Sequence, residues 1–272
     1  MRLINLRPGR GGAVLLAALP FALLALGYLT GSALRLADNP ADKLLPSLAA
    51  MARMVEVMAF TPDRRTGDYL LWVDTMASLT RLLSGLAIAT AIALTLGLLT
   101  GVLPVARAML APFVAVLSMV PPLALLPVLF IVLGLGEVSK IALIVIGTAP
   151  ILTRDLALTA AALPREQIVK AETLSASSWL IALRVVLPQA MPRLIDSLRL
   201  QLGPAFLFLI AAEAISAEAG LGYRIFLVRR YLSMDIIFPY VVWITLLAVA
   251  MDLALRLLRR RLYPWAGAEG AP

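Results

Sequence analysis

From Gly12 to Leu34 the chain carries no charged side chain, and a run of that kind constrains the fold more than any other feature. Hydrocarbon offers no water to hydrogen-bond backbone N–H and C=O groups, so a crossing segment must satisfy them internally, as a helix does. Roughly 20 residues of helix suffice for a crossing. Further apolar runs follow at Ser78–Leu103, Met109–Leu133, Ile141–Ala160, Leu194–Ala212 and Ile236–Leu255. Composition agrees, at 61% hydrophobic and 15% charged, where soluble domains carry roughly 45–50% and 25%. The chain therefore reads as an all-α polytopic membrane protein with six transmembrane helices.

Arg2, Arg7 and Arg10 precede the first run. Gly31-Ser32-Ala33 has the look of a signal-peptidase site, but a signal h-region is only about 7–15 residues long. A retained first span is the expectation. Residues 1–76 then form an anchor span with an external segment, in which Leu48–Met58 are spaced as a short amphipathic helix, and residues 77–262 form a core of five spans. With no Cys and no His, thiol and imidazole chemistry are excluded, and so are the commonest zinc ligands. No cofactor or metal is expected on this chain. The +8 net charge follows the ends of apolar runs and forms no aromatic-interleaved patch, so no nucleic acid is expected as a partner.

The third run contains Ser118, Pro121, Pro122 and Pro127. Prolines remove backbone donors, and the freed carbonyls need partners in protein or in a wet cavity. This span is either a pore lining or a kinked packing helix. In the fourth, Arg154 and Asp155 read as a structural ion pair, because charge inside a span costs about 2.5–3.5 kcal/mol on insertion scales. Glu213–Asp235 reads as a loop. Candidate translocation-pathway residues, chosen at kinks and span ends, are Ser118, Met119, Pro122, Glu213 and Ser216.

Alternating six spans from a cytoplasmic N-terminus places Arg2, Arg7, Arg10, Arg107, Arg154, Arg165, Lys170, Arg184, Arg193, Arg199 and four tail arginines inside. Outer segments are then balanced in charge, as the positive-inside rule requires. Both termini and the stretch Pro164–Pro192 fall in the cytoplasm. That stretch, PREQIVKAETLSASSWLIALRVVLPQAMP, reads as two short amphipathic helices with a break at Ser175–Ser178. A solute pathway needs an energy source, and no phosphate-binding GxxxxGK[ST] loop exists near Lys43, Lys140 or Lys170.

Ala171, Leu174-Ser-Ala-Ser177, Trp179 and Val185-Val-Leu-Pro188 resemble the cytoplasmic EAA loop of ABC-importer permeases, the binding-protein-dependent inner-membrane component family. The interval from Ser175, at the family's glycine position, to Pro188 matches that motif. Leu45-Pro-Ser47, Pro121–Pro127, Gly134–Lys140, Gly220-Leu-Gly-Tyr223 and Arg260–Pro264 are similar to the nitrate, sulfonate and taurine branch. The motif's glutamate falls at Val169 and its next alanine at Lys170, and Ser175, in place of glycine, is expected to N-cap the second helix.

The resemblance implies a permease subunit whose coupling helix, between spans four and five, docks into a separate cytoplasmic ATPase. The residues it places there are Lys170, Ala171, Glu172, Leu174, Ser175, Ala176, Ser177, Trp179 and Pro188. Leu174 and Trp179 are the expected anchors, since desolvated aromatics carry much of interface energy; packing of both on the chain's own inner rim is the alternative. ATP and Mg would be bound by the ATPase dimer, and the other implied partners are a second permease copy, an extracytoplasmic substrate-binding protein and membrane lipid in a bacterial inner membrane. Implied substrates are nitrate, sulfonates, taurine, or urea- and guanidine-like solutes. An ion-driven secondary transporter or channel would require intramembrane acid relays. A membrane-embedded lipid-modifying enzyme would require an interfacial cluster of acids or histidines.

Overall fold

The computed structural model describes residues 9–40 and 42–266, so Arg2 and Arg7 of the topology argument lie outside the described residues. The described chain is helical: α1 (Arg10–Asp38), α2 (Leu48–Phe60), α3 (Leu70–Val102), α4 (Pro104–Leu117), α5 (Leu126–Leu133), α6 (Glu137–Ala161), α7 (Arg165–Thr173), α8 (Ser178–Ile181), α9 (Leu187–Ser216), α10 (Leu221–Arg229) and α11 (Met234–Leu262). Among the described residues, five helical stretches are long and apolar enough to cross a membrane, and α4 with α5 make a sixth if that bent pair counts as one span. Of the described residues, those up to Tyr69 with Val228–Tyr240 form one compact unit, and Leu70–Leu227 with those from Val241 onward form another.

In the first unit, α1 is an apolar rod whose Leu15, Phe21 and Leu24 are exposed, as suits a helix solvated by lipid. The Tyr28 hydroxyl donates to the Pro46 carbonyl at 2.6 Å and Ser32 Oγ donates to the Leu45 carbonyl at 3.0 Å. Ser47 then caps α2, its Oγ accepting from Ala50 N at 3.2 Å. Leu45-Pro-Ser47 therefore turns the chain back along α1 and starts the expected amphipathic helix.

The second unit is built on α3, α6 and α9. Membrane helices gain nothing from excluding water from one another, so they associate through close packing at small residues. A Cβ on Gly101 of α3 would lie 2.4 Å from Ala160 Cβ of α6, and one on Gly147 of α6 would lie 2.3 Å from Phe208 Cε2 of α9. Ala89, Ala93, Leu152, Leu156, Ala190 and Leu194 fill the interface.

Three boundaries differ from expectation. The second span begins at Leu70, not Ser78, so a division at residues 76 and 77 falls inside α3. Asp74, expected outside the span, lies within the helix, and both it and Arg81 are neutralised by partners in other helices. The third span is broken rather than merely kinked, with 81° between its halves. Ser118 N and Oγ close the end of α4 on the Val114 and Ala115 carbonyls, Pro121 and Pro122 cannot donate, and a 3₁₀ turn at Pro122–Leu125 restarts the chain. Finally, part of the expected loop Glu213–Asp235 is helix: α9 runs to Ser216 and Leu221–Arg229 is α10.

Candidate functional site

The stretch between α6 and α9 forms the expected pair of helices, with a hinge chemistry that differs from expectation. Ser175 is left-handed, with φ 58°. Its N–H donates to the Glu172 carbonyl at 2.9 Å and that of Ala176 donates to the Ala171 carbonyl at 3.1 Å. This is a Schellman turn with serine at the position that usually holds glycine. Ser175 therefore does not cap the next helix. Ser177 does, its Oγ accepting from Leu180 N at 3.3 Å. Serine takes over the geometry of the family's glycine here, at a cost of about 1–2 kcal/mol for a left-handed residue with a Cβ.

Pro188 does not end a separate loop helix. Having no N–H, it cannot continue the i to i−4 ladder, and the backbone widens into a π turn at Ala182–Val186 that leads directly into α9. Helix α8 is thus the first turn of a 39-residue helical stretch, Ser178–Ser216. Ile168, Ala171 and Ala176 pack on buried Leu98, Ala160, Ile181, Ala182 and Val186. Gln189 Nε2 donates to Gln167 Oε1 at 2.8 Å, which ties α7 to α9. Leu174 remains 76% exposed and Trp179 66% exposed, and Lys170 and Glu172 are also exposed. Trp179, Leu183, Leu187 and Met191 form one wall of an apolar groove of about 650 Å³, with Leu94, Leu98 and Leu103 of the α3 end opposite.

The other polar construction lies at the far end of α9. Asp74, Ser78 and Arg81 occupy one face of α3 at i, i+4 and i+7, and all three are buried. Asp74 Oδ1 accepts from Gly220 N at 2.9 Å, and its Oδ2 accepts from Arg224 Nε at 2.8 Å. Ser78 Oγ accepts from Leu221 N at 2.8 Å and donates to Glu213 at 2.8 Å. Arg81 Nη1 donates to Glu213 Oε1 at 2.6 Å and to the Ala219 carbonyl at 2.7 Å, while its Nη2 donates to Glu137 Oε1 at 2.9 Å. Glu213 Oε2 accepts from Gly222 N at 2.9 Å. Gly220 has φ +141°, and a Cβ there would lie 2.6 Å from the Glu213 carboxyl carbon. Buried carboxylates thus capture the orphan N–H groups that open α10, which accounts for Gly220-Leu-Gly222.

Against the expected pathway set, Ser118, Met119 and Pro122 share the elbow between α4 and α5, with Met119 74% exposed. Ser216 is the last residue of α9. Glu213 is fully buried in the ion network. Arg224, in the stretch read as a loop, pairs with Asp74. Asp155 pairs not with its neighbour Arg154 but with Arg193 of α9, through two bonds of 3.1 Å, and with Ser197. Arg81 and Ser78 carry the largest share of this architecture and were not singled out in the sequence. Their i, i+4, i+7 spacing with Asp74 at the start of an apolar run was the available signal.

A polytopic helical bundle with a rigid helical turn presented between two spans is the architecture of a transporter permease. The chain belongs to the family described as binding-protein-dependent transport system inner membrane component, whose model matches residues 69–264. It is 36% identical over 201 residues to the taurine transport system permease protein TauC of Escherichia coli, covering 74% of this chain and 73% of that one. It is 32% identical over 164 residues to the bicarbonate transport system permease protein CmpB of Synechococcus elongatus, covering 60% and 59%. In structure it resembles a chain of the MetNI methionine ABC transporter in an inward-facing conformation, with TM-score 0.63, 20% identity and coverage of 74% and 99%. The protein is a multi-pass ABC transporter permease, a transport subunit.

Proposed function

We propose that this chain is the membrane subunit of an ATP-driven importer of a small oxyanionic solute, a sulfonate, carboxylate or bicarbonate, in a bacterial inner membrane. Its α7–α8 turn docks on a separate cytoplasmic ATPase that holds the ATP and Mg. The observation that carries this reading is the turn itself. Its inner face is locked by Ile168, Ala171 and Ala176 and its backbone is closed by the Schellman bonds, yet Leu174 and Trp179 stand in the open. A rigid mount presenting large apolar side chains suits burial by a partner. Lys170, Glu172 and Ser175 border those anchors, Ser177 holds the second helix in place, and Pro188 sets its continuity with α9. Both termini are cytoplasmic in this reading, and a second copy of the chain completes the pathway. An extracytoplasmic binding protein selects the solute. The elbow residues Ser118, Met119 and Pro122, with Ser216, contact the solute, and Glu213 acts indirectly by holding the α9 end.

Deleting Lys170–Ser178 should leave the chain in the membrane and abolish its co-purification with its cognate ATPase. ATPase recovery equal to wild type would overturn the reading. Thermal-shift screening of the cognate binding protein with taurine, bicarbonate, nitrate and urea tests the solute class, and stabilisation by urea alone would reject an oxyanion.

A further inference from the structure

Helix α9 is clamped at both ends and weakened in the middle. At the end nearer the α7–α8 turn, Arg193 and Ser197 bond Asp155 of α6, and Arg199 Nε donates to Asp252 of α11 at 2.7 Å. At the other end, Glu213 is bound by Ser78 and Arg81 of α3 and by Gly222 N. Charge-assisted bonds tie both ends, partly exposed at Arg193–Asp155 and buried at Arg81–Glu213, so each end of α9 is tethered to the helix it is bonded to. Between the clamps lie Gly203 and Pro204. Pro204 has no N–H for the Leu200 carbonyl, and glycine is the residue, after proline, least able to stiffen a helix. A Cβ on Gly203 would meet nothing within 4 Å, so packing does not require glycine there. Leu200, Gly203, Pro204 and Leu207 form one exposed face of the helix, which leaves room for a change of bend.

We propose that Gly203–Pro204 is the hinge of α9, the point at which motion entering through the α7–α8 turn bends the helix between its two clamps. The inference rests on the importer reading above. It assigns a positioning role to two residues whose side chains make no polar contact, and whose sequence context alone marks only a proline in a span.

The chain has no cysteine, so a spin-label pair at Arg184→Cys and Ile215→Cys reports on the continuous helical stretch Ser178–Ser216 that contains α9. The two positions, both exposed, lie roughly 46 Å apart along a helix at 1.5 Å per residue. In the full complex with its ATPase, trapping with ATP and vanadate is expected to change that distance by at least about 2 Å, as a bend change of roughly 35° at residue 204 would over this length. Pro204→Ala restores the missing donor without adding bulk, and is expected to abolish the shift while the complex still forms and traps nucleotide. Gly203→Ala, which adds one methyl in open space, is expected to reduce it, and serves if Pro204→Ala fails to assemble. An undiminished shift in the assembled variants, or no shift in the trapped wild type, overturns the hinge. Failure of the wild-type chain to associate with the ATPase refutes the importer reading instead.

Discussion

The clamp at Glu213 invites a double-mutant cycle. Glu213→Leu leaves Arg81, whose side chain is only 8% exposed, with Glu137 as its remaining ionic partner. It also strips Ser78 Oγ and the Gly222 N–H of their carboxylate. Removing one partner of a buried ion pair costs about 3–5 kcal/mol, and an orphaned buried N–H about 1–3 kcal/mol. These terms overlap, so about 4 kcal/mol is the expected loss. At about 2–4 °C per kcal/mol for a chain of this size, the midpoint of thermal inactivation in detergent should fall by on the order of 10 °C. Arg81→Met should cost about 3 kcal/mol, because it leaves a buried carboxylate that still accepts from Ser78 and Gly222. The double variant removes both charges together. Its loss should fall well short of the sum of the two single losses, with a coupling of about 2–3 kcal/mol. The assay is loss of monodisperse protein on heating, followed by fluorescence-detected gel filtration. Additive single effects would show that the two groups do not act as a pair and would refute the clamp.

Two further outcomes follow from backbone and packing geometry. Ser175→Gly should stabilise the α7–α8 turn by about 1 kcal/mol, because it removes the left-handed penalty; slower amide exchange at Leu174–Ser177 with ATPase binding retained is the expected result, and faster exchange would count against the Schellman assignment. Gly147→Val should cost about 2–3 kcal/mol by forcing α6 from the Phe208 ring, and Phe208→Ala in the same chain should recover part of the loss; no recovery would show that the strain is relieved elsewhere.

Local composition alone determined a good deal. A bilayer crossing needs only a long apolar run, so the span count was readable from Gly12–Leu34 and its successors. A break between two amphipathic segments needs only short-range patterning, so Ser175–Ser178 was visible, as was the amphipathic helix at Leu48–Met58. Tertiary structure decided what became of the charges. Asp74 looked like the end of an external segment, and Arg81 was an unpartnered charge within the run Ser78–Leu103. They sit inside α3 because partners far along the chain, Arg224, Gly220, Glu213 and Glu137, neutralise them, and no window of sequence contains those pairings. The choice between Arg154 and Arg193 as partner of Asp155 depended on which face of α6 meets α9. Ser175 as the left-handed residue and Ser177 as the cap could not be ranked from two serines at neighbouring positions, because the register was set by Ala171 and Ala176 packing on the bundle. Apolar runs report how a helix meets its solvent; which carboxylate meets which guanidinium depends on distances that only the packed helices create.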